Sequence, residues 1–420
     1  MPSDPEEGDA GVAPTESCVT ITPLSEPDVS KLLTVAEAIA IIDAAPVSPR
    51  AIELALQDAE GLILAEPIRA DRDYPPFDKS QMDGYAVRAA DVPGELRVVG
   101  EIPAGGSAAR GLAPREAMSI MTGAPLPSGA DAVVPVEDVE RSNDLVRIAR
   151  PTTEGRFIAR RGSDVHGGEV VLDAGMRLGA AQLAVAASVG ASRVKVFAKP
   201  RAAVLTTGDE LVAIDQAPAG SQIRDSNNLM LAALLRRFGC DVTDLGIARD
   251  QPQTLRDVLS RGLREFDVLF VTGGMSMGAY DYVPKILREL GVELKITKLR
   301  IKPGKPFVFG SHNQHFVFGL PGNPLSGFVC TVRLASRLIQ RLGGSAISER
   351  WAEGTLTDAL GANGPREFYQ PVFVEEGRVR ALSWKGSADV FTLARANALL
   401  VRGENEPALA AGTCVRVLEL

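Results

Sequence analysis

From about residue 200 the chain settles into an alternation of short apolar runs and amphipathic segments, a pattern that few architectures accept. Residues 202–206 read as a buried strand, 228–238 as a helix stopped at Gly239, and 242–247 as a second strand. Leu255, Val258, Leu259 and Leu263 then share a helical face, followed by a strand over 267–271 and a Gly273-Gly274 turn. Val283, Ile286, Leu287 and Leu290 form the next face, closed by Gly291, and a last helix is expected over 324–342. Strands and helices in this order imply right-handed βαβ crossovers around a parallel-rich sheet, so an α/β domain is expected here.

The flanks read differently. Thr34-Val35-Ala36-Glu37 has the spacing of a capping box, with Val35, Ile39 and Ile42 on one helical face behind it. Residues 61–64 and 96–99 are short extended runs among prolines and glycines, so about 70–150 is expected to be a small, mostly β module. A helix over 180–188, ending at Gly190, closes the first half, and 346–420 returns to short β runs. No stretch of about 18 apolar residues exists, so no membrane helix is expected. Met1-Pro2-Ser3-Asp4 carries no basic region before an apolar core, and Cys18, Cys240, Cys330 and Cys414 are scattered. A cytoplasmic protein with reduced thiols is the expectation.

Charge matters only once it is located. The net charge is −8, but residues 1–30 hold seven acids and no Lys or Arg, leaving the rest of the chain at −1. The first 31 residues are therefore expected to form a disordered acidic tail. A nearly neutral body with 5% aromatic residues offers no stacking platform for nucleic acid.

Ligands of open α/β sheets bind beyond the carboxyl ends of the strands. Those ends carry Thr206-Thr207-Gly208-Asp209-Glu210, Ala248-Arg249-Asp250, and the run Thr272 to Asp281. Near the last strands lie 301–306 and Leu320-Pro321-Gly322-Asn323-Pro324. Glycines there admit phosphate oxygens to backbone N–H groups. Glu210, Asp250 and Asp281 suit a magnesium–phosphate site, since Mg²⁺ takes one or two carboxylates beside phosphate oxygens. Asp250 and Asp281 could instead cap the helices that follow. Lys295, Lys298, Arg300, Lys302 and Lys305 read as a patch facing an oxyanion, or as a solvated strand edge. His166, His312 and His315 lack zinc spacing. In the β module, residues 76–86 (with Ser80 and Asp83) and 120–131 (with Thr122) are too polar for plain strands, although Asp83-Gly84 alone could be a hairpin turn.

The strings FDKSQMDGYAVR, IPAGG, IMTGAPLPSGADAVV, RRGSD, TTGDEL, TGGMSMGAYDY, IKPGKP and GLPGNPLSG follow one another along the chain. In this order they resemble the MoeA family of molybdopterin molybdenumtransferases, whose eukaryotic relatives include the C-terminal domain of gephyrin. The resemblance covers about 32–420. It implies a multidomain α/β protein: a split linker domain over 32–69 and 150–197, an inserted β-rich module over 70–149, a molybdopterin-binding α/β domain over 198–345, and a C-terminal β-barrel over 346–420. It further implies a homodimer whose cleft joins the α/β domain of one subunit to the inserted module of the other.

The implied reaction inserts molybdate into adenylylated molybdopterin, releasing AMP and molybdenum cofactor with Mg²⁺ or a similar divalent cation present. A molybdopterin adenylyltransferase would supply the substrate and molybdoenzymes would accept the product. Carried over, the catalytic set is Glu210, Asp250, Asp281, Asp83, Lys298 and Lys302, with Glu210 and Asp250 on the metal. Substrate contacts are Thr122, Asp164, Ser80, Gly273, Gly274, Ser276, Pro321, Gly322, Pro324, Arg366 and Ser387. Two departures stand out: Ser163 where an acid is expected, and the acidic tail. The competing readings are a molybdopterin adenylyltransferase and a non-enzymatic dimeric scaffold.

Overall fold

Six strands and the helices between them build the centre of the protein, for which a computed structural model describes residues 32–275 and 282–420. They are β1 (Arg201–Thr207), β2 (Asp241–Ala248), β3 (Val268–Thr272), β4 (Glu293–Ile296), β5 (Val308–His312) and β6 (His315–Leu320). The sheet order is β2-β1-β3-β6-β5-β4, and only β5 runs against the others. Strand side chains alternate between the two faces. Ala202 and Val204 pack with α1 (Asn227–Arg237) on one face, whereas Ala203 and Leu205 pack with α2 (Pro252–Glu265) and α3 (Val283–Glu289) on the other. The chain leaves β1 toward β2 and then crosses back to β3. The carboxyl ends of β1 and β3 are therefore the topological switch point, where such sheets open a crevice.

The expected helix over 324–342 is interrupted. It consists of α4 (Pro324–Cys330), one π-helical stretch at Thr331–Ala335, and α5 (Ser336–Leu342). Thr331 Oγ1 donates to the Gly327 carbonyl at 2.7 Å, the back-bonding that loosens an α-helical ladder. The N-terminal helix Val35–Asp43 lies on the same core and carries the capping box: Glu37 N–H to Thr34 Oγ1 at 3.1 Å, and Thr34 N–H to Glu37 Oε2 at 2.7 Å.

Strand Ala51–Ala55 pairs antiparallel with Arg193–Phe197, so chain from either side of the β module closes one small sheet. Between them, residues 84–148 form a curled six-stranded sheet. Gly84 starts one of its strands rather than a hairpin turn, because a Cβ there would stand 2.1 Å from the Val134 carbonyl oxygen. At the other end, Trp351–Leu356, Glu367–Glu375, Arg378–Ala381, Ala398–Arg402 and Cys414–Glu419 close into a five-stranded barrel. Its Glu367–Glu375 strand also pairs with Ile301–Lys302 of the α/β domain. No described helix is long and apolar enough to cross a membrane.

Candidate functional site

Three loops meet at the switch point. Gly273, after β3, has φ +93° and lies so close to β1 that a Cβ would come within 2.2 Å of the Thr207 carbonyl oxygen. Thr272 Oγ1 donates to the Pro321 carbonyl at 3.2 Å, joining this turn to the loop after β6. Asn227, the first residue of α1, donates from Nδ2 to the Gly322 carbonyl at 2.7 Å and to Thr272 Oγ1 at 3.3 Å. Two buried polar atoms here, Thr207 Oγ1 and Asn227 Oδ1, have no hydrogen-bond partner among the described residues. A buried polar atom without a partner is costly, so each marks a place where a ligand could complete the network.

Acids gather on the outer side of this crevice. Glu210 is exposed, and its carboxylate lies 2.6–2.7 Å from where a Cβ on Gly208 (φ +148°) would stand. Asp250 is half-buried, and its N–H donates to Asp209 Oδ1 at 3.3 Å. The residue that caps α2 is Gln251, not Asp250. Arg249 ties the two loops by donating to the Asp209 carbonyl at 2.7 Å. Asp281 and Ser276 lie outside the described residues, so neither is placed. Among the described residues no three His, Cys, Asp or Glu side chains form a metal cluster.

On the far side of the 321–323 loop is a cavity of about 540 Å³ between the α/β domain and the barrel, lined by Lys302, Lys305, Arg366, Lys385, Trp384 and Ser387 among others, and by no carboxylate among the described residues. The expected five-cation patch is divided. Lys295 sits 3.6 Å from Glu293 and Arg300 sits 3.2 Å from Glu404, while Lys302 and Lys305 reach the cavity. Lys298 is half-buried outside it, its carbonyl accepting from Leu33 N–H at 3.3 Å. The run itself holds no acid; Glu293 lies two residues before it on β4, and the fold brings Glu404 from the barrel. Pro321 lines the cavity, Gly322 accepts from Asn227, and Asn323 Nδ2 donates to Ser387 Oγ at 2.9 Å. Pro324 opens α4 directly behind this loop.

The barrel side of the cavity is held by Asp389. Its carboxylate accepts from the N–H groups of Lys385 at 2.9 Å and Thr392 at 3.0 Å, and from Thr392 Oγ1 at 2.8 Å. Those donors, Lys385 N–H foremost, lower its pKa to about 2. Beneath the opposite wall, Gly304 (φ +124°) leaves room for Cys330 Sγ, which would stand 2.6 Å from an added Cβ. Cys330 and Cys240 are buried free thiols, Cys240 pushed up to about 12 by burial.

The β module brings a second group together. Asp83 and Thr122, 39 residues apart, meet on its exposed surface: Asp83 Oδ1 accepts from Thr122 N–H at 2.6 Å and from Thr122 Oγ1 at 2.8 Å. These two bonds hold the Asp83 carboxyl below its ordinary value. Ser80 is buried and donates to the Met82 carbonyl at 2.6 Å, so its hydroxyl is spent on the turn. Asp164 is exposed and accepts from Ser163 Oγ at 3.1 Å. Arg160 and Arg161 clamp the neighbouring segment through Asp78 (2.6 Å) and Asp73 (2.8 Å). Among the described residues no hydrogen bond or ion pair joins 79–148 to the α/β domain. His312 and His315 each set Nδ1 against a carbonyl, of Gly291 at 2.9 Å and Phe266 at 2.6 Å.

Asn227, Arg249, Lys385 and Asp389 were not anticipated. The polar run Arg224-Asp225-Ser226-Asn227-Asn228 ahead of a helix was a readable signal for the first. Asp389-Val390-Phe391-Thr392 was likewise a local helix-capping signal for the Lys385 loop, whereas Arg249 acts through Asp209, forty residues away, which no local pattern announces.

Three family models cover nearly all of the described chain: MoeA N-terminal region (domain I and II) over 33–190, a probable molybdopterin binding domain over 203–341, and MoeA C-terminal region (domain IV) over 353–420. A molybdopterin molybdenumtransferase of Nostoc is 36% identical over 86% of this chain and 87% of its own length. Another from Haemophilus influenzae is 32% identical over 87% of this chain and 92% of its own length. A crystal structure of the molybdopterin biosynthesis MoeA protein from Pyrococcus horikoshii matches with a TM-score of 0.82 at 32% identity, over 93% of this chain and 99% of that one.

Proposed function

The chain belongs to the MoeA family and is a transferase of molybdenum cofactor biosynthesis; from that premise we propose that it joins molybdate to adenylylated molybdopterin across the 321–323 loop. The observation that carries this reading is the loop's double attachment. One side is hydrogen-bonded to the switch-point crevice, the other to Ser387 at the cationic cavity. Pterin and adenylate occupy the crevice beside the Gly273-Gly274 turn (φ +93° and +60°), where Thr207 Oγ1 and Asn227 Oδ1 have no partner among the described residues. Molybdate occupies the cavity, where Lys302, Arg366 and Lys385 oppose its two negative charges and Ser387 orients an oxygen. Lys298 adds charge at a distance.

Glu210 and Asp250 hold the divalent cation. Mg²⁺ takes one or two carboxylates beside phosphate oxygens, and these two would supply them. When bound, that cation offsets charge on the bridging phosphates. The protein's own work is positioning and charge stabilisation, with water kept from an unproductive cut.

Asp83, Thr122 and Asp164 act from the partner subunit of a homodimer; among the described residues no hydrogen bond or ion pair ties 79–148 to its own α/β domain. Asp281 and Ser276 serve the pterin or adenylate end. The adenylylated substrate comes from a molybdopterin adenylyltransferase, and the product passes to molybdoenzymes in the cytoplasm. Adenylyl transfer by this chain is not favoured, because the family match extends over both flanks of the α/β domain. The test is reconstitution with purified adenylylated molybdopterin, measuring AMP against added molybdate. Molybdate-dependent AMP release supports the reading; consumption of ATP without molybdate contradicts it.

A further inference from the structure

Lys302 is held by aromatic rings where an acid would be the ordinary partner. Its Nζ lies 4.5 Å from the Phe368 ring centroid and 5.8 Å from that of Trp384. The two rings are 5.5 Å apart and tilted by 33°, so together they form a corner into which the ammonium fits. Phe368 is buried, and the strand pairing that sets Lys302 beside it is part of the join between α/β domain and barrel. Among the described residues Lys302 has no carboxylate within ion-pair reach, whereas Lys295 and Arg300 of the same run each have one.

The difference has a chemical consequence. A carboxylate would fix the lysine but cancel its charge and take its N–H groups. Ring faces attract the ammonium through their quadrupole, restrict its long stem, and leave both charge and donors available. From this geometry, and resting on the oxyanion reading of the cavity given above, we infer that Phe368 and Trp384 are positioning residues that hold Lys302 toward a tetrahedral oxyanion. Trp384 immediately precedes Lys385, Gly386 and Ser387, so the corner and the Asp389-anchored loop shape the same wall. A purely structural reading makes the lysine stem a cover for two rings, with no bearing on the oxyanion.

The readings part in steady-state kinetics of the full-length protein with adenylylated molybdopterin and molybdate. Phe368→Leu and Trp384→Leu each raise the KM for molybdate roughly five- to thirtyfold, the range set by a partly desolvated cation–ring contact. The kcat and the KM for adenylylated molybdopterin stay within about twofold, since neither ring serves the crevice. Phe368→Tyr and Trp384→Phe, which keep a ring face, restore the molybdate KM. If the leucine variants fold poorly, fluorinated tryptophan in a Trp351→Phe background weakens the ring face without changing its shape. The molybdate KM then climbs with fluorine content. An unchanged molybdate KM across the ring variants, or a loss confined to kcat, overturns the inference. Lys302→Met and Arg366→Gln separate it from its premise. If these also leave the molybdate KM unchanged, the oxyanion reading of the cavity fails. If they raise it while the ring variants do not, only the ring corner fails.

Discussion

Gly273→Ala tests whether the switch-point crevice depends on the contact between the β1 and β3 loops. Two penalties add at this position. The backbone sits at φ +93°, where a non-glycine residue costs about 1–2 kcal/mol. The new methyl would lie 2.2 Å from the Thr207 carbonyl oxygen, about 1 Å inside van der Waals contact, and that neighbour is backbone. Relief requires the loops to part, an overpacking cost of about 1–3 kcal/mol. Gly61→Ala is the control: its φ is +75°, but nothing lies within 4 Å of an added Cβ, so only the backbone penalty applies. The two variants should therefore differ by about 1–3 kcal/mol in urea unfolding. Hydrogen exchange should quicken in β1 and β3 of Gly273→Ala alone. AMP release should fall by about two orders of magnitude, as expected for roughly 1 Å of misplacement at a reacting centre, while Gly61→Ala keeps wild-type turnover. Equal unfolding and equal turnover in the two variants would refute the reasoning.

Three further outcomes are expected. Glu210→Gln retains adenylylated molybdopterin, measured by equilibrium binding, but releases no AMP; normal turnover removes Glu210 from the metal role. Thr122→Val deletes one of the two donors that hold the Asp83 carboxyl below its ordinary value, so carbon NMR titration should show that pKa moving up toward the ordinary carboxylate value. Because the pKa is lowered in the folded state, the pairing adds stability above the unfolded value and loses it as the pH falls through the folded one; a midpoint unmoved by Thr122→Val would contradict this. Asp389, held at about 2 by Lys385 N–H, Thr392 N–H and Thr392 Oγ1, should keep the 385–387 loop anchored until the pH drops from about 4 toward 2. Asp389→Ala should raise the molybdate KM at neutral pH, with Trp384 fluorescence in a Trp351→Phe background reporting the loosened loop.

What could be read in the sequence was local. Val35, Ile42 and the Thr34–Glu37 box declare a helix because every signal lies within two turns. The β1–α1–β2–α2–β3 order is visible because each apolar period is intact. The break at Thr331 was missed, since an apolar helical face says nothing of a hydroxyl turned back on Gly327. The cationic run from Lys295 to Lys305 looked like one patch because its acids lie outside it: Glu293 two residues earlier on β4, and Glu404 in the turn after a distant barrel strand. Ser80 stood in a polar motif, yet its burial against Met82 depends on the module's packing. Asp83 and Thr122 were each singled out from their own motif; their meeting is a product of the sheet. Residue types carry the chemistry, but long-range pairing decides which of them share a surface.

The most direct measurement mixes two inactive proteins. Glu210→Gln is damaged in the α/β domain and Asp83→Asn in the β module, so a site built across a two-fold axis is whole in one half of each mixed dimer. After subunit exchange at equal concentrations, random pairing should restore about one quarter of wild-type AMP release. Recovery at that level, rising and falling with the fraction of mixed dimer, is the predicted result. No activity above the separate variants, despite proven exchange, would contradict the account.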